Sequence, residues 1–278
     1  MRKIQNMKRR TKSLLVLLLT LVAVTTLLPM AYMLISSFRT MTEYIYSPLG
    51  FPSRFRLDNF ISIASGYPLL RNFSNSLILS LVSLGLSLLV SVPAAYAFAH
   101  IPTRWGSTLY VATISLMMVP IMVTLIPRYI IFSKIGILDS RLSLYLSYTA
   151  GALPYTVFLL TVGFKAVPKE LVESAKIDGA GYAQVVFNVI IPMGRATIIT
   201  ACILNFVSFW NELVQAMMFT SNEKLKTITV LVSTMGGRYV SNMPLILTGL
   251  LIASIPMIVV YVFFQRYIVE GITMGASK

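Results

Sequence analysis

Residues 13–35 carry no charged side chain, and the run is long enough to cross about 30 Å of hydrocarbon as a helix. Comparable apolar runs recur at 73–99, 107–126, 142–164, 196–217 and 244–264. A chain with six such runs has few places to put them other than a bilayer, and the predicted fold class is an all-α membrane protein with six transmembrane helices. Only 12% of the residues are charged, against about 25% in a soluble domain. The formal charge of +14 could suggest nucleic acid, but the basic residues are spread over every loop, which fits membrane orientation and no nucleic-acid partner. Cys202 is the single cysteine and His100 the single histidine, so neither an internal disulfide nor a cysteine or histidine metal cluster is available.

The predicted organisation follows the runs. Residues 1–12 form a basic N-terminus with Arg2, Lys3, Lys8, Arg9, Arg10 and Lys12 and no acid, which places this end in the cytoplasm. The alternative, a cleaved signal peptide, lacks a small-x-small cleavage site at the end of run 13–35. Residues 36–72 read as a polar outer loop, with Pro48, Gly50 and Pro52 as breakers. A five-helix core covers 73–264 and includes a cytoplasmic loop at 165–195. The tail 265–278, with Gly271 and Gly275, lies on the cytoplasmic side with the N-terminus. In the second run, Ser76, Ser80, Ser83, Ser87 and Ser91 share one helix face, read as a packing seam in preference to a polar path. Pro120 is expected to kink the third run, with Pro127-Arg128-Tyr129 outside, and Gly151 and Pro154 to interrupt the fourth.

Residues 167–192, VPKELVESAKIDGAGYAQVVFNVIIP, are the one long polar insert between apolar runs that carries both helix signals and a hinge. Pro168 suits the start of a helix, and Glu170 sits in its first turn where the helix dipole favours negative charge. Lys169 to Ile177 contains no breaker, and Asp178-Gly179 then stops the helix. A second helical run, 180–191, is expected to end at Pro192. Two short helices meeting at a glycine corner would give a soluble partner a rigid knob to grip.

The run Glu173-Ser174-Ala175, then Asp178-Gly179-Ala180, then Ile191-Pro192 resembles the E-A-A…D-G-A…L-P motif of ABC importer permeases, with Ser174 where the pattern has its first Ala. Pro168 and Glu170-Leu171 before it, and Trp210-Asn211-Glu212 after it, resemble the carbohydrate-uptake branch, typified by the second permease of the maltose importer. The resemblance implies a type I importer (MetI-like) permease fold in a bacterial or archaeal plasma membrane. It implies a sugar or oligosaccharide as substrate, and as partners a second permease, two ATP-binding subunits and an extracellular or periplasmic solute-binding protein. By the same resemblance Glu170, Glu173, Ser174, Ala175, Asp178, Gly179 and Ala180 would form the ATPase-coupling surface, with Glu173 pairing with a basic residue of the ATPase.

No phosphate-cradling Gly-rich loop and no Ser/His/Asp set is present, so no cofactor is expected in this chain; ATP and Mg would belong to the partner subunits. No paired carboxylates occur within the apolar runs, which disfavours an ion-coupled secondary carrier, and the missing catalytic set disfavours a membrane enzyme. An importer of another solute, such as a glycerol-phosphate or a polyol, keeps the same architecture. For the substrate path, Asn205, Ser208 and Glu212 share a helix face beside Phe209 and Trp210, and Tyr145, Tyr148 and Thr149 could add to it from the fourth run. Sugar hydroxyls need hydrogen-bond partners and the sugar's apolar face an aromatic plate. The competing reading has Asn205 and Ser208 bonding a neighbouring helix and Trp210 anchoring at the interface.

Overall fold

The computed structural model describes residues 9–236 and 242–276, which contain helix and no strand. Arg2, Lys3 and Lys8 of the basic N-terminus, and the last two residues of the tail, lie outside the described residues. In chain order the helices are α1 (Arg9–Ser36), α2 (Met41–Tyr46), α3 (Asp58–Gly66), α4 (Leu69–His100), α5 (Gly106–Ser115), α6 (Leu125–Lys134) and α7 (Arg141–Lys165). They continue with α8 (Lys169–Ile177), α9 (Tyr182–Met193), α10 (Arg195–Asn211), α11 (Val214–Phe219), α12 (Ile228–Thr234) and α13 (Met243–Ala276).

Four stretches are long and apolar enough to span a membrane alone: Thr11–Ser36, Leu69–His100, Arg141–Lys165 and Met243–Tyr267. Two bent pairs bring the number to 6: Gly106–Met118 with Ile121–Lys134, at 91°, and Tyr182–Met193 with Arg195–Asn211, at 82°. The chain divides into two compact units. One joins Met1–Leu69 to Val232–Ile255; the other joins Leu70–Leu231 to Pro256–Lys278.

Several elements depart from the sequence expectation. The third run does not merely kink. Val119 and Pro120 are extended, 3₁₀ turns flank them, and Pro127, Arg128 and Tyr129 fall inside α6 rather than in a loop. Pro120 lacks an N–H, and the residue before a proline is driven out of the helical region, so the helix ends there. By contrast α7 runs straight through Gly151 and Pro154. One missing backbone bond is tolerated inside a packed helix, and the Thr156 hydroxyl donates to the Ala152 carbonyl beside it (2.8 Å). The fifth run stops at Asn211, short of Met217, because Glu212 turns extended and caps the next helix. The last helix continues beyond 264, through Gly271, to Ala276.

The loop 36–72 is folded and far from polar. In the first unit the Arg39 guanidinium is buried and donates to the carbonyls of Glu43, Ser47 and Pro48, adding a second donor to carbonyls that already accept from Ser47 N–H, Gly50 N–H and the Tyr32 hydroxyl. At the other end of α2, Thr40 and Glu43 form a reciprocal capping box. Asn59 of α3 donates to the Ser37 and Arg39 carbonyls, at 2.9 and 2.8 Å, and ties α3 to the chain leaving α1.

The second unit has two buried cores. One gathers Tyr96 of α4, Leu160 and Phe164 of α7, Val172 of α8, Val185 and Ile190 of α9, and Ala201 of α10. The other gathers Leu79, Leu125, Phe132, Leu144, Tyr148, Phe209 and Phe219. The serine face of α4 is buried along its length, from Ser76 to Ser91, which is the packing seam expected of small residues. Helices α7 and α10 approach so closely that a Cβ on Gly163 would lie 2.2 Å from the Thr197 hydroxyl.

Candidate functional site

The corner between α8 and α9 is built by its backbone. Asp178 N–H donates to the Ser174 carbonyl, Gly179 N–H to Lys176 and Ala180 N–H to Ala175, at 3.0, 3.0 and 2.9 Å. This terminates α8 with Gly179 at φ +82°, a left-handed conformation that costs other residues. The Gln184 amide oxygen then accepts from Gly181 N–H (2.7 Å) and starts α9. Pro192 does not end this second helix. The backbone widens to a π turn over Val186–Ile190 and continues through Pro192 to Met193, because the wider spacing absorbs the missing N–H. The bend to α10 falls at Gly194, where a Cβ would meet the Phe164 ring at 2.7 Å.

One face of the corner is anchored and the other is open. Val172, Val185, Val186 and Ile190 are buried in the core shared with α4, α7 and α10. The Tyr182 hydroxyl donates to the Pro93 carbonyl in α4 (2.7 Å), and its ring packs edge-on against Tyr96. Glu170, Glu173, Ser174, Asp178 and Gly179 are exposed, Ala175 and Ala180 half-buried. Ile177 stands 85% exposed at the tip. Among the described residues Glu173 pairs with no basic side chain, although Lys169 and Lys176 lie at helical spacing from it.

A second feature lies between α7, α10 and α11. A cavity of about 390 Å³ is lined by Tyr148, Gly151 and Tyr155 of α7, by Asn205, Ser208 and Phe209 of α10, and by Glu212 and Gln215. Glu212 accepts from the N–H groups of Gln215 and Ala216, at 2.8 and 3.0 Å, and from the Tyr148 hydroxyl at 2.9 Å. Tyr148 stacks on Phe209 with ring centroids 5.5 Å apart. Asn205 donates to the Thr156 hydroxyl (2.9 Å) and is buried, so it both lines the cavity and bonds the neighbouring helix. Ser208 is exposed on the cavity wall.

The other residues proposed for this path lie elsewhere. Trp210 is buried between Phe206 and Phe73, so its ring is neither an interfacial anchor nor a plate on the cavity. Thr149 donates to the Ser83 carbonyl of α4, and Tyr145 packs on the second core. On a helix, sequence neighbours of a lining residue point around the cylinder, and adjacency to Phe209 says nothing of where Trp210 faces.

Two residues that the sequence reading missed hold this region together. Arg128 donates to the Ser147 hydroxyl (2.5 Å), the Gln215 amide oxygen (2.9 Å) and the Ile121 and Thr124 carbonyls. It ties the far limb of the broken third span to α7 and α11. The signal was present: Arg128 is the one charge in an otherwise apolar stretch from Gly106 to Ser133. Gln215 gave no comparable sign.

Comparison with known proteins settles what such a chain is. Residues 87–274 match the family described as binding-protein-dependent transport system inner membrane component. The chain belongs to that family. As an inner membrane component with up to 6 spans, it is a multi-pass membrane protein. Among curated relatives, the melibiose/raffinose/stachyose import permease protein MelC of Bacillus subtilis is 31% identical over 273 residues, covering 97% of this chain and 98% of that one. The sulfoquinovosyl glycerol transport system permease protein SmoH of Agrobacterium fabrum is 31% identical over 253 residues, covering 91% and 89%. Among solved structures, a chain of a bacterial ABC transporter involved in import of the acidic polysaccharide alginate superposes with a TM-score of 0.84 at 19% identity, over 93% of this chain and 96% of that one. The helical fold is thus shared with that chain and is not peculiar to this sequence.

Proposed function

We propose that this permease is one of two membrane subunits of an ATP-driven importer of a sugar or oligosaccharide. Of two ATP-binding subunits, one grips the α8–α9 corner of this chain and the other that of the second permease; a solute-binding protein delivers the substrate from outside, and both termini face the cytoplasm. The observation that carries the reading is the corner itself: open on the face with Glu173, Ser174 and Gly179, and seated on its other face in the core that joins three spans. A rigid coupler needs both properties, a surface to be held and an anchorage that passes displacement on. The relatives named above bear sugar-transport names, which supports carbohydrate over a glycerol-phosphate or a polyol.

In this mechanism ATP closes the ATPase pair, the corners approach, and the spans exchange inward-open for outward-open packing. The nucleotide drives the exchange only by the difference in its affinity for the two states. Glu173, paired with no basic side chain among the described residues, is placed to meet a basic residue of the ATPase. The cavity between α7 and α10 offers Asn205, Ser208 and Gln215 to hydroxyl groups and the stacked Tyr148–Phe209 pair to a sugar's apolar face.

The test is the reconstituted complex carrying Gly179→Asp. The expected outcome is loss of uptake together with loss of substrate-stimulated ATP hydrolysis, while the complex still assembles. Unchanged uptake and hydrolysis would remove the corner from the mechanism. For the cavity, Asn205→Ala is expected to weaken transport affinity without changing the yield of assembled complex; reduced yield alone would make Asn205 a packing residue.

A further inference from the structure

The segment after α2 presents an apolar surface that the importer reading does not use. Tyr46, Leu49, Phe51 and Phe55 are 86%, 87%, 78% and 77% exposed, and Ile45 and Leu57 more than half. Single exposed apolar residues are ordinary; a contiguous set of this size marks a contact. Two exposed arginines, Arg54 and Arg56, alternate with Phe55 and Leu57.

The height of this surface on α1 identifies the partner. The Tyr32 hydroxyl donates to the Pro48 carbonyl (3.1 Å). Tyr32 lies four residues before the end of α1 at Ser36, about 6 Å down the helix at 1.5 Å per residue. Helical side chains lean toward the N-terminus, so the ring of Tyr32 points further into the apolar run and not up from it. Pro48 and its neighbour Leu49 therefore fold back beside the last turn of a helix that crosses the membrane. At that depth the medium is the boundary between headgroups and acyl chains.

The fold holds the segment there. Arg39 binds the Pro48 and Ser47 carbonyls, Phe38 packs on Phe55 at 5.5 Å, and the Glu43 carboxylate accepts from Ser53. That last contact uses the negative charge of Glu43 internally; of the charges then left beside the aromatic residues, Arg54 and Arg56 outnumber the one exposed carboxylate, Asp58 at the start of α3. Aromatic rings with interleaved arginines are the composition of a membrane interface, where rings enter the boundary and guanidinium groups meet phosphate.

We propose that Ile45–Leu57 is an interfacial anchor, with Tyr46, Leu49, Phe51 and Phe55 immersed in the leaflet at the C-terminal end of α1, and Arg54 and Arg56 on phospholipid phosphates. It would fix the height of α1 against the bilayer. The inference needs only that α1 spans the membrane and does not depend on the substrate or on which side is cytoplasmic.

The test uses the full chain in phospholipid nanodiscs, with Cys202→Ser and a nitroxide on Leu49→Cys, Phe51→Cys or, as an exposed polar control on α8, Ser174→Cys. The expected result is collision with oxygen several-fold above collision with a water-soluble nickel chelate at positions 49 and 51, and the reverse at 174. Preferential collision with the nickel chelate at 49 and 51 would place the patch in water and overturn the proposal. Shielding from both reagents would mean that protein covers it, and would overturn the proposal equally. Adding Arg54→Gln and Arg56→Gln is expected to move the label at 51 toward water; an unchanged ratio would remove the arginines from the anchor.

Discussion

At Gly179 the constraint is conformational, not steric. Nothing lies within 4 Å of where its Cβ would stand, yet φ is +82°. Placing an ordinary L-residue there costs roughly 1–2 kcal/mol, and Asn tolerates the region better than Ala does. Substrate-stimulated ATP hydrolysis by the complex is therefore expected to fall in the order Gly, Asn, Ala at this position, with Asn ahead of Ala despite its larger side chain. Gly163 is the opposite case. Its φ is ordinary, but an added methyl would meet the hydroxyl, methyl and Cβ of Thr197 at 2.2–2.6 Å, so the helices themselves must separate. Gly163→Ala is expected to destabilise the protein by about 1–3 kcal/mol, read as a lower melting temperature in detergent. Glu43 supplies a pH dependence. Hydrogen bonds from the Ser53 side chain and the Thr40 backbone lower its pKa from 4.5 to about 2. A depressed folded-state pKa stabilises above the unfolded value and is lost as pH falls through the folded one. Hydrogen exchange over residues 40–55, corrected for intrinsic rates, is expected to stay protected at pH 5 and to lose protection between about 4.5 and 2; Glu43→Gln should lack that pH-dependent component.

Among the elements, prolines separate what a sequence reveals from what it hides. Pro93, Pro154 and Pro256 sit inside continuous helices, whereas Pro120 ends one. Hydropathy is equally high on both sides of Pro120, so composition could mark the stretch as membrane-embedded but could not tell a kink from a right-angle break. Pro120 ends the helix, but the limb beyond it is held at its angle by tertiary partners, chiefly Arg128 donating to the Ser147 hydroxyl and the Gln215 amide oxygen, and a single sequence does not display them. The α8 boundaries were legible because every signal for them is local: Pro168 before, Asp178-Gly179 after. The end of α10 was not, because Glu212 stops it by capping α11 from two residues upstream, which reads in sequence as one more turn of the same helix. Glu212→Ala is expected to cost about 0.5–2 kcal/mol, the range of a lost helix cap. Tyr148→Phe should cost less, since both backbone N–H groups keep their carboxylate. Melting of the two single variants and the double variant would measure this.

For the whole molecule, apolar runs of the right length identified the membrane class, and the polar insert with its flanking residues pointed to the family now matched over residues 87–274. The candidate cavity was only half legible. Asn205, Ser208 and Glu212 come together because helical spacing is computable from numbering alone, while the inward turn of Trp210 and the role of Gln215 depend on packing between helices. If the proposed assembly is right, liposomes holding both permeases and the ATP-binding subunits, supplied with the solute-binding protein, are expected to accumulate solute only with ATP, and the chain alone to move none. α9 and α10 meet at 82°, and the joint at Gly194 leaves no space for a methyl group beside Phe164; two limbs so packed against α7 would turn together if the corner were pushed. They form a bell crank: sideways travel of the short arm becomes tilt of the long one, enlarged by roughly the ratio of their lengths. With a long arm less than half again the length of the short one, the far end of α10 would travel only modestly farther than the corner is pushed.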